Sequence, residues 1–485
     1  MLRMRMLSGE EVASVPAEEV TNVRALKLVL NKQHGFPPRF RQRLFLHGDP
    51  LEDAFELATS TDIVLEFVVL DFVSVSLQQV EKLIGAATFA KLSKVESMLQ
   101  LPQDPNLTSP SGETALANAV AENHLEIARV LVEAGSCLHA GVGDYRLPPL
   151  SIAVNVPGGI AMVKFLLEAG ASIDTRNAHG STALALAAAH GCTEVVRILL
   201  LEGARIDLTD NNGWTALAIA SFRGHAEVVQ VLLDFGSNVH HVSDAGTALT
   251  SASYAGHDAI VRLLLQHSAH VNDYTVYSAS TKGHANCVRL LLQAPSWRNA
   301  HSAFVRRATC SMSLTRASRH GSADLVQVLL EERADMEVRI RDFTALMEAS
   351  LYSRVDVVRV LLKAGADKDA TDRDCTTALM LASMTGHAEI VHMLLEVRGL
   401  CQLFSDELEP GLLPPPIPEM TANRSQGPLR VEDDRPPEMN LCIAGCTWLH
   451  NQSTWVALLG LVVLAVVTVF VRSAITVART LPAAE

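Results

Sequence analysis

One block of sequence is written twice between residues 180 and 245. Gly180-Ser-Thr-Ala-Leu-Ala185 returns 33 residues later as Gly213-Trp-Thr-Ala-Leu-Ala218, and both copies continue in register through Gly, Glu-Val-Val, Leu-Leu and Gly. A repeat of this length marks stacked supersecondary units. Within a copy, Leu184, Ala187 and Ala188 have helical spacing over Thr182 to His190, and Gly191 is placed to end that helix in a left-handed conformation. Val196, Leu199 and Leu200 predict a second helix closed by Gly203, after which Arg205 to Leu208 extends into an Asp-Asn-Asn-Gly turn. Two helices this short cannot cover their own apolar stripes. They gain stability by stacking on neighbours, so the chain is constrained to a one-dimensional solenoid.

Thr215-Ala-Leu-Ala-Ile-Ala220, Gly224-His225, Val228-Val229, Leu232-Leu233 and Gly236 carry the pattern most fully. They resemble the ankyrin repeat, although that family's Thr-Pro-Leu-His start is here Thr-Ala-Leu followed by Ala, Thr or Met. Alanine lacks the preset φ that proline brings to a helix start. The second-helix signature recurs from Met98-Leu99 to Leu394-Leu395, giving ten candidate units over residues 79–397, the first a degenerate cap. Spacing slips in the middle: Gly256 to Gly283 is 27 residues and Gly283 to Gly321 is 38. We expect a finger truncated around Asp273 to Tyr277 and an enlarged connection from Ala294 to Cys310. That connection would expose Trp297, Arg298, Phe304, Arg306 and Arg307, so residues 273–310 are either a binding insertion or a degenerate repeat.

Residues that differ between copies are candidates for recognition. The two positions before the Gly that ends each first helix include Phe222, Arg223, Tyr254, Arg319, His320 and Tyr352, with Trp214 at a turn. The ankyrin resemblance implies that these face a concave groove binding a protein or peptide. Aromatic and arginine side chains are the types that dominate such interfaces.

Ahead of the array, Leu2 to Leu7 and Val12 to Val15 read as strands around Ser8-Gly9, and Val23, Leu26 and Leu30 share one helical face. His34-Gly35-Phe36-Pro37-Pro38, Arg43-Leu-Phe-Leu-His-Gly48 and Leu51-Glu-Asp53 follow. This order resembles ubiquitin over about residues 1–72, with a helix segment three residues longer and no Gly-Gly terminus after Leu70. The resemblance implies a built-in β-grasp module whose hydrophobic recognition patch falls on Leu7, Phe45 and Val68, with ubiquitin-system proteins as partners.

Beyond the array, residues 398–447 are Pro-rich and expected to form a disordered linker. Trp455 to Val471 holds 17 residues without a charge, which predicts a transmembrane helix over 454–472 and a short tail at 473–485. We read a tail anchor with the N-terminal domains in the cytosol. Arg472 and Arg479, on the far side, run against the positive-inside tendency.

The expected fold class is therefore multidomain: an α-helical ankyrin solenoid, preceded by a small α+β ubiquitin-like β-grasp domain and followed by a disordered linker and one transmembrane helix. A formal charge of −13 argues against nucleic-acid partners. Eight cysteines without CxxC spacing read as cytosolic thiols. His225, His257, His284 and His387 each follow a Gly at one repeat position, which predicts a shared structural role and neither metal binding nor catalysis. Phosphate-binding loops, nucleophile elbows and HExxH zinc motifs are lacking, so no cofactor, metal or enzymatic activity is expected. The function expected is a membrane-tethered scaffold or adaptor. A cryptic enzyme with its site at repeat junctions and a mechanical spacer are the alternatives.

Overall fold

The computed structural model describes residues 1–57, 63–143, 145–300 and 302–396. The linker, the apolar 454–472 segment and the tail lie outside them. Among the described residues no helix is long and apolar enough to cross a membrane.

The chain begins with a five-stranded sheet of β1 (Leu2–Met6), β2 (Glu11–Val15), β3 (Gln42–Leu46), β4 (Asp49–Pro50) and β5 (Ile63–Val69), in the order β2-β1-β5-β3-β4. The central β1 and β5 run parallel, while the β1–β2, β3–β5 and β3–β4 pairs are antiparallel. Strand alternation sends Leu2, Met4, Leu44, Leu65 and Phe67 to one face, where Val23, Leu26 and Leu30 of helix α1 (Val23–His34) close the core. Asn22 caps α1 by accepting from the Ala25 amide, and Gly35 ends it with φ of 71°.

This small domain is fastened to the array by buried charge. Lys27 Nζ and Arg39 Nε each lie 2.6 Å from Asp53, while Arg39 Nη1 and Arg24 Nη2 share the Glu133 carboxylate from the second array unit. Lys27 and Arg39 are only 3% and 4% exposed. Burial alone would raise the Asp53 carboxyl, but Lys27 and Arg39 together hold it below its ordinary value. Burial also pulls the Lys27 ammonium down against Asp53; with two cations within 2.6 Å of one carboxylate, the geometry favours the charged pair. Phe40 sits in the array's core cluster, and Pro38 lies over Gly135. Arg43 Nη2 donates to the Gln100 carbonyl at 2.7 Å.

Ten helix pairs follow among the described residues, from Leu77–Thr88 with Leu92–Leu99 to Ala378–Met384 with Ala388–Glu396. First helices contact first helices and second helices contact second helices, giving two layers along the array. Small residues let the first helices approach: Ala220-Ser221, Ala252-Ser253, Ala279-Ser280 and Ala317-Ser318 are all fully buried. Threonines 114, 182, 215, 247, 344 and 377 cap first helices by accepting from the amide three residues on. That cap supplies the helix start that the missing proline would otherwise favour.

The irregular centre differs from expectation in two respects. Asp273 to Tyr277 is the opening of a helix, Asp273–Thr281, capped by Asn272. The finger has been deleted outright, leaving six connecting residues between Gln266 and Asp273 where fourteen separate Leu201 from Ala216. The segment from Ala294 to Cys310 is also helical, comprising Pro295–Ala300 and the front of an 18-residue first helix, Ala303–His320. Trp297 is not exposed but 1% accessible, filling the core beside the second-helix layer. Phe304, by contrast, is 81% exposed.

Candidate protein-binding face

The glycines that end the first helices build the seam between units. Gly191, Gly224 and Gly256 have positive φ, and a Cβ on any of them would come within 2.6 Å of the ring of His225, His257 or His284 in the next unit. His225 Nε2 lies 3.0 Å from the Ala189 carbonyl and His257 Nε2 3.1 Å from that of Phe222. The same reach joins His124 to Thr88, Arg354 to Arg319 and His387 to Leu351. Each ring or guanidinium thus satisfies a carbonyl of the preceding helix end that has no partner within its own helix. Desolvation, followed by the neighbouring cations, lowers the pKa of His284 against the pull of the Tyr254 carbonyl and Asp258.

His320 belongs to this seam, not to the line of recognition residues in which its position before Gly321 placed it. Ser322 occupies the place that histidine takes in the other units, and the His320 ring fills the gap against Gly283. Desolvation and the nearby Arg354 lower its pKa.

The remaining candidates form a continuous set on the first-helix layer. Trp214 reaches along its helix to meet Phe222 edge-on, with ring centroids 5.6 Å apart. Arg223 is exposed beside it. In the next units Lys282 Nζ stands 5.0 Å from the Tyr254 ring centre and the Arg319 guanidinium 4.6 Å from that of Tyr352. Lys282 stands at one of the two positions before Gly283 and so follows the same rule, whereas sequence reasoning missed Tyr277 and Arg316 as members of this set. Arg316 Nε donates to Tyr277 Oη at 2.7 Å. The signal was available, since Arg316 is one helical turn before His320, but the enlarged connection hid which turns of Ala303–His320 reach this face. Contacts of this kind restrict the rotamers of large side chains, which lowers the entropic cost of binding.

On the N-terminal sheet, Leu7 is exposed while Phe45 and Val68 are half-buried on the side facing away from α1. Alternation on β3 and β5 brings Phe45 and Val68 to one face, with Val68 registered opposite Arg43, while Leu7 lies in the turn just after β1.

Cavities along the array are shallow. One of about 340 Å³ lies between Val154–Ile160 and His190–Val195. Another, of about 450 Å³, opens where the finger is missing, between Leu265–His270 and Leu290–Ser296. Among the described residues no three His, Cys, Asp or Glu come together as a metal site.

A family model described as ankyrin repeats (3 copies) matches residues 83–177, 150–243, 277–372 and 314–401, and a single ankyrin-repeat model matches residues 246–276. No curated protein matches the chain. The crystal structure of the human ASB11 ankyrin repeat domain is similar at 25% identity, covering 44% of this chain and 97% of that one with a TM-score of 0.39.

Proposed function

This chain belongs to the ankyrin-repeat family, and on that premise we propose that it is a scaffold whose first-helix layer docks a protein partner. The observation that carries the proposal is the run of aromatic and cationic pairs, Trp214–Phe222, Tyr254–Lys282 and Arg319–Tyr352, on successive first helices. A catalytic site would need converging titratable groups in an enclosed cavity. The spacer reading gives no reason for large aromatics to stay at the surface.

Two further parts extend the proposal. The N-terminal sheet is a ubiquitin-like module that couples the bound partner to ubiquitin-system proteins through Leu7, Phe45 and Val68. Its strand order, with a central parallel pair and one helix, supports that reading. The apolar stretch from Trp455 to Val471 anchors the scaffold at a membrane with the array in the cytosol. Proximity labelling from the intact chain, compared with one ending after Leu395, tests partner and compartment together. Loss of neither partners nor membrane proteins on truncation would remove the anchor from the proposal, and a glycan on Asn106 or Asn423 would reverse the topology. Pull-downs in which Leu7, Phe45 and Val68 variants kept every ubiquitin-system partner would remove that coupling.

A further inference from the structure

Acidic residues on the helices of the array are sorted by layer. Most second helices from Thr193 onward carry an acid in their first turn (Glu194, Glu227, Asp258, Asp324, Asp356, Glu389), where the helix dipole favours it. The first helices over the same span carry acids at Asp273 and Glu348 alone. Glu348 is 6% exposed, so it adds little negative charge to the surface. A chain with net charge −13 therefore presents a cationic strip on its first-helix layer: Arg223, Lys282, Arg316 and Arg319.

The three arginines of the strip are not spent on internal salt bridges. Among the described residues Arg223, Arg316 and Arg319 form no ion pair. Arg316 and Arg319, like Lys282, are held against tyrosines. The Arg319 guanidinium, resting on the Tyr352 ring, is placed to offer its N–H edge to a carboxylate, while Arg316 keeps its two Nη groups for the same use after its Nε bonds Tyr277. Below them, Glu348 Oε2 is buried without a hydrogen-bond partner. Burial raises its pKa even though Arg319, Arg316 and Arg341 pull the other way, so this acid is poorly suited to neutralising the strip.

We propose that the ligand of this layer is an extended, carboxylate-rich peptide segment lying across the first helices from Arg223 to Arg319. The proposal rests on the docking reading above and adds the chemistry of the partner. Three steps between first helices, at about 9–10 Å each, span about 27–30 Å. An extended chain covers that distance in about nine residues. At the other end of the same helices the fingers carry Asp210 and Asp244, while Asp342 is paired with Arg373. Asp210 and Asp244 bound the strip on one side and disfavour the broad phosphate surface of a nucleic acid, which makes a peptide with acids on one edge the better fit.

The probes are labelled synthetic peptides of about nine residues: one rich in Asp and Glu with a central aromatic, its Asn/Gln isostere and a Lys-rich version, each titrated into the intact chain. The acidic peptide is expected to bind at least about tenfold tighter than the isostere, with affinity falling steeply between about 50 and 500 mM salt. Arg223→Glu and Arg319→Glu should each weaken it about tenfold, whereas Arg197→Glu, on a second helix, should leave it unchanged. Equal binding of acidic and isosteric peptides, an equal effect of Arg197→Glu, or tighter binding of an oligonucleotide than of the acidic peptide would overturn the proposal. Cellular partners captured by proximity labelling separate the two levels. Partners lost with Phe222→Ala and Tyr352→Ala but indifferent to both charge reversals would leave the docking face standing and refute an acidic ligand. Partners indifferent to all four substitutions would refute both.

Discussion

Removing Asp53, Glu133 or Arg24 from the junction should destabilise it in a fixed order, because the three groups leave different charges stranded. Asp53 accepts from both Lys27 and Arg39, each almost inaccessible to water. Asp53→Ala leaves two buried cations, with Glu133 still in contact with Arg39 but Lys27 deprived of its ion-pair partner, and stranding a buried charge costs about 3–5 kcal/mol. Glu133→Ala leaves Arg39 with Asp53 still in place and frees the half-exposed Arg24. Its cost is that of one charge-assisted hydrogen bond in a dry site, about 1.5–3 kcal/mol. Arg24→Ala removes a side chain that already sees solvent and should cost about 1 kcal/mol or less. Amide hydrogen exchange reads each part separately: β1, β3 and β5 report on the small domain, and Leu125–Glu133 on the array unit that it joins. The expected order of lost protection is Asp53→Ala, then Glu133→Ala, then Arg24→Ala. Glu133→Ala should be felt on both sides of the junction. Equal losses, or an Asp53→Ala effect within about 1 kcal/mol of wild type, would show that the charges are solvated and that Phe40 and Pro38 packing alone holds the domains together. The same pairs predict an acid limb. Because the folded carboxyl of Asp53 titrates below its unfolded value of about 3.9, its contribution is complete above that pH and is lost as pH falls through the lower folded value.

Gly224→Ala should destabilise more than Gly236→Ala in urea titrations. Both sites have positive φ, but an added Cβ meets the His257 ring at the first and open space at the second. Trp297→Ala should cost about 3–5 kcal/mol, whereas Phe304→Ala should stay within about 0.5 kcal/mol; similar values would return Trp297 to the surface. His284 and His320 titrate below the ordinary histidine value, so their folded forms resist protonation. The melting temperature should fall as pH drops from about 6.5, and His284→Gln should flatten that slope. Burial pushes the Cys310 thiol up to about 12 and raises Cys287 further still, while Cys137 and Cys375 are exposed. Of these four, a maleimide at neutral pH should label Cys137 and Cys375 first, as mass spectrometry would report.

The repeat from Gly180 to Ala245 determined the array by itself, because each unit's helices can bury their apolar stripes only against copies of themselves. The seam role of His225, His257 and His284 was legible for the same reason: a residue recurring at one register position does the same task in each unit. Strand alternation likewise gave the small sheet its inner face. Other features depended on neighbours that no local pattern encodes. Trp297 reads as a loop aromatic until the deleted finger and the lengthened Ala303–His320 helix open a core site for it. His320 looks like its counterparts before Gly until Ser322 proves too short to cover Gly283. Nothing near Arg39 or Glu133 in the chain announces that they meet, since 94 residues separate them. Sequence fixes what repeats, because repetition is a local constraint. Tertiary structure decides where the repetition fails and what fills the space, because that depends on groups brought together only by folding.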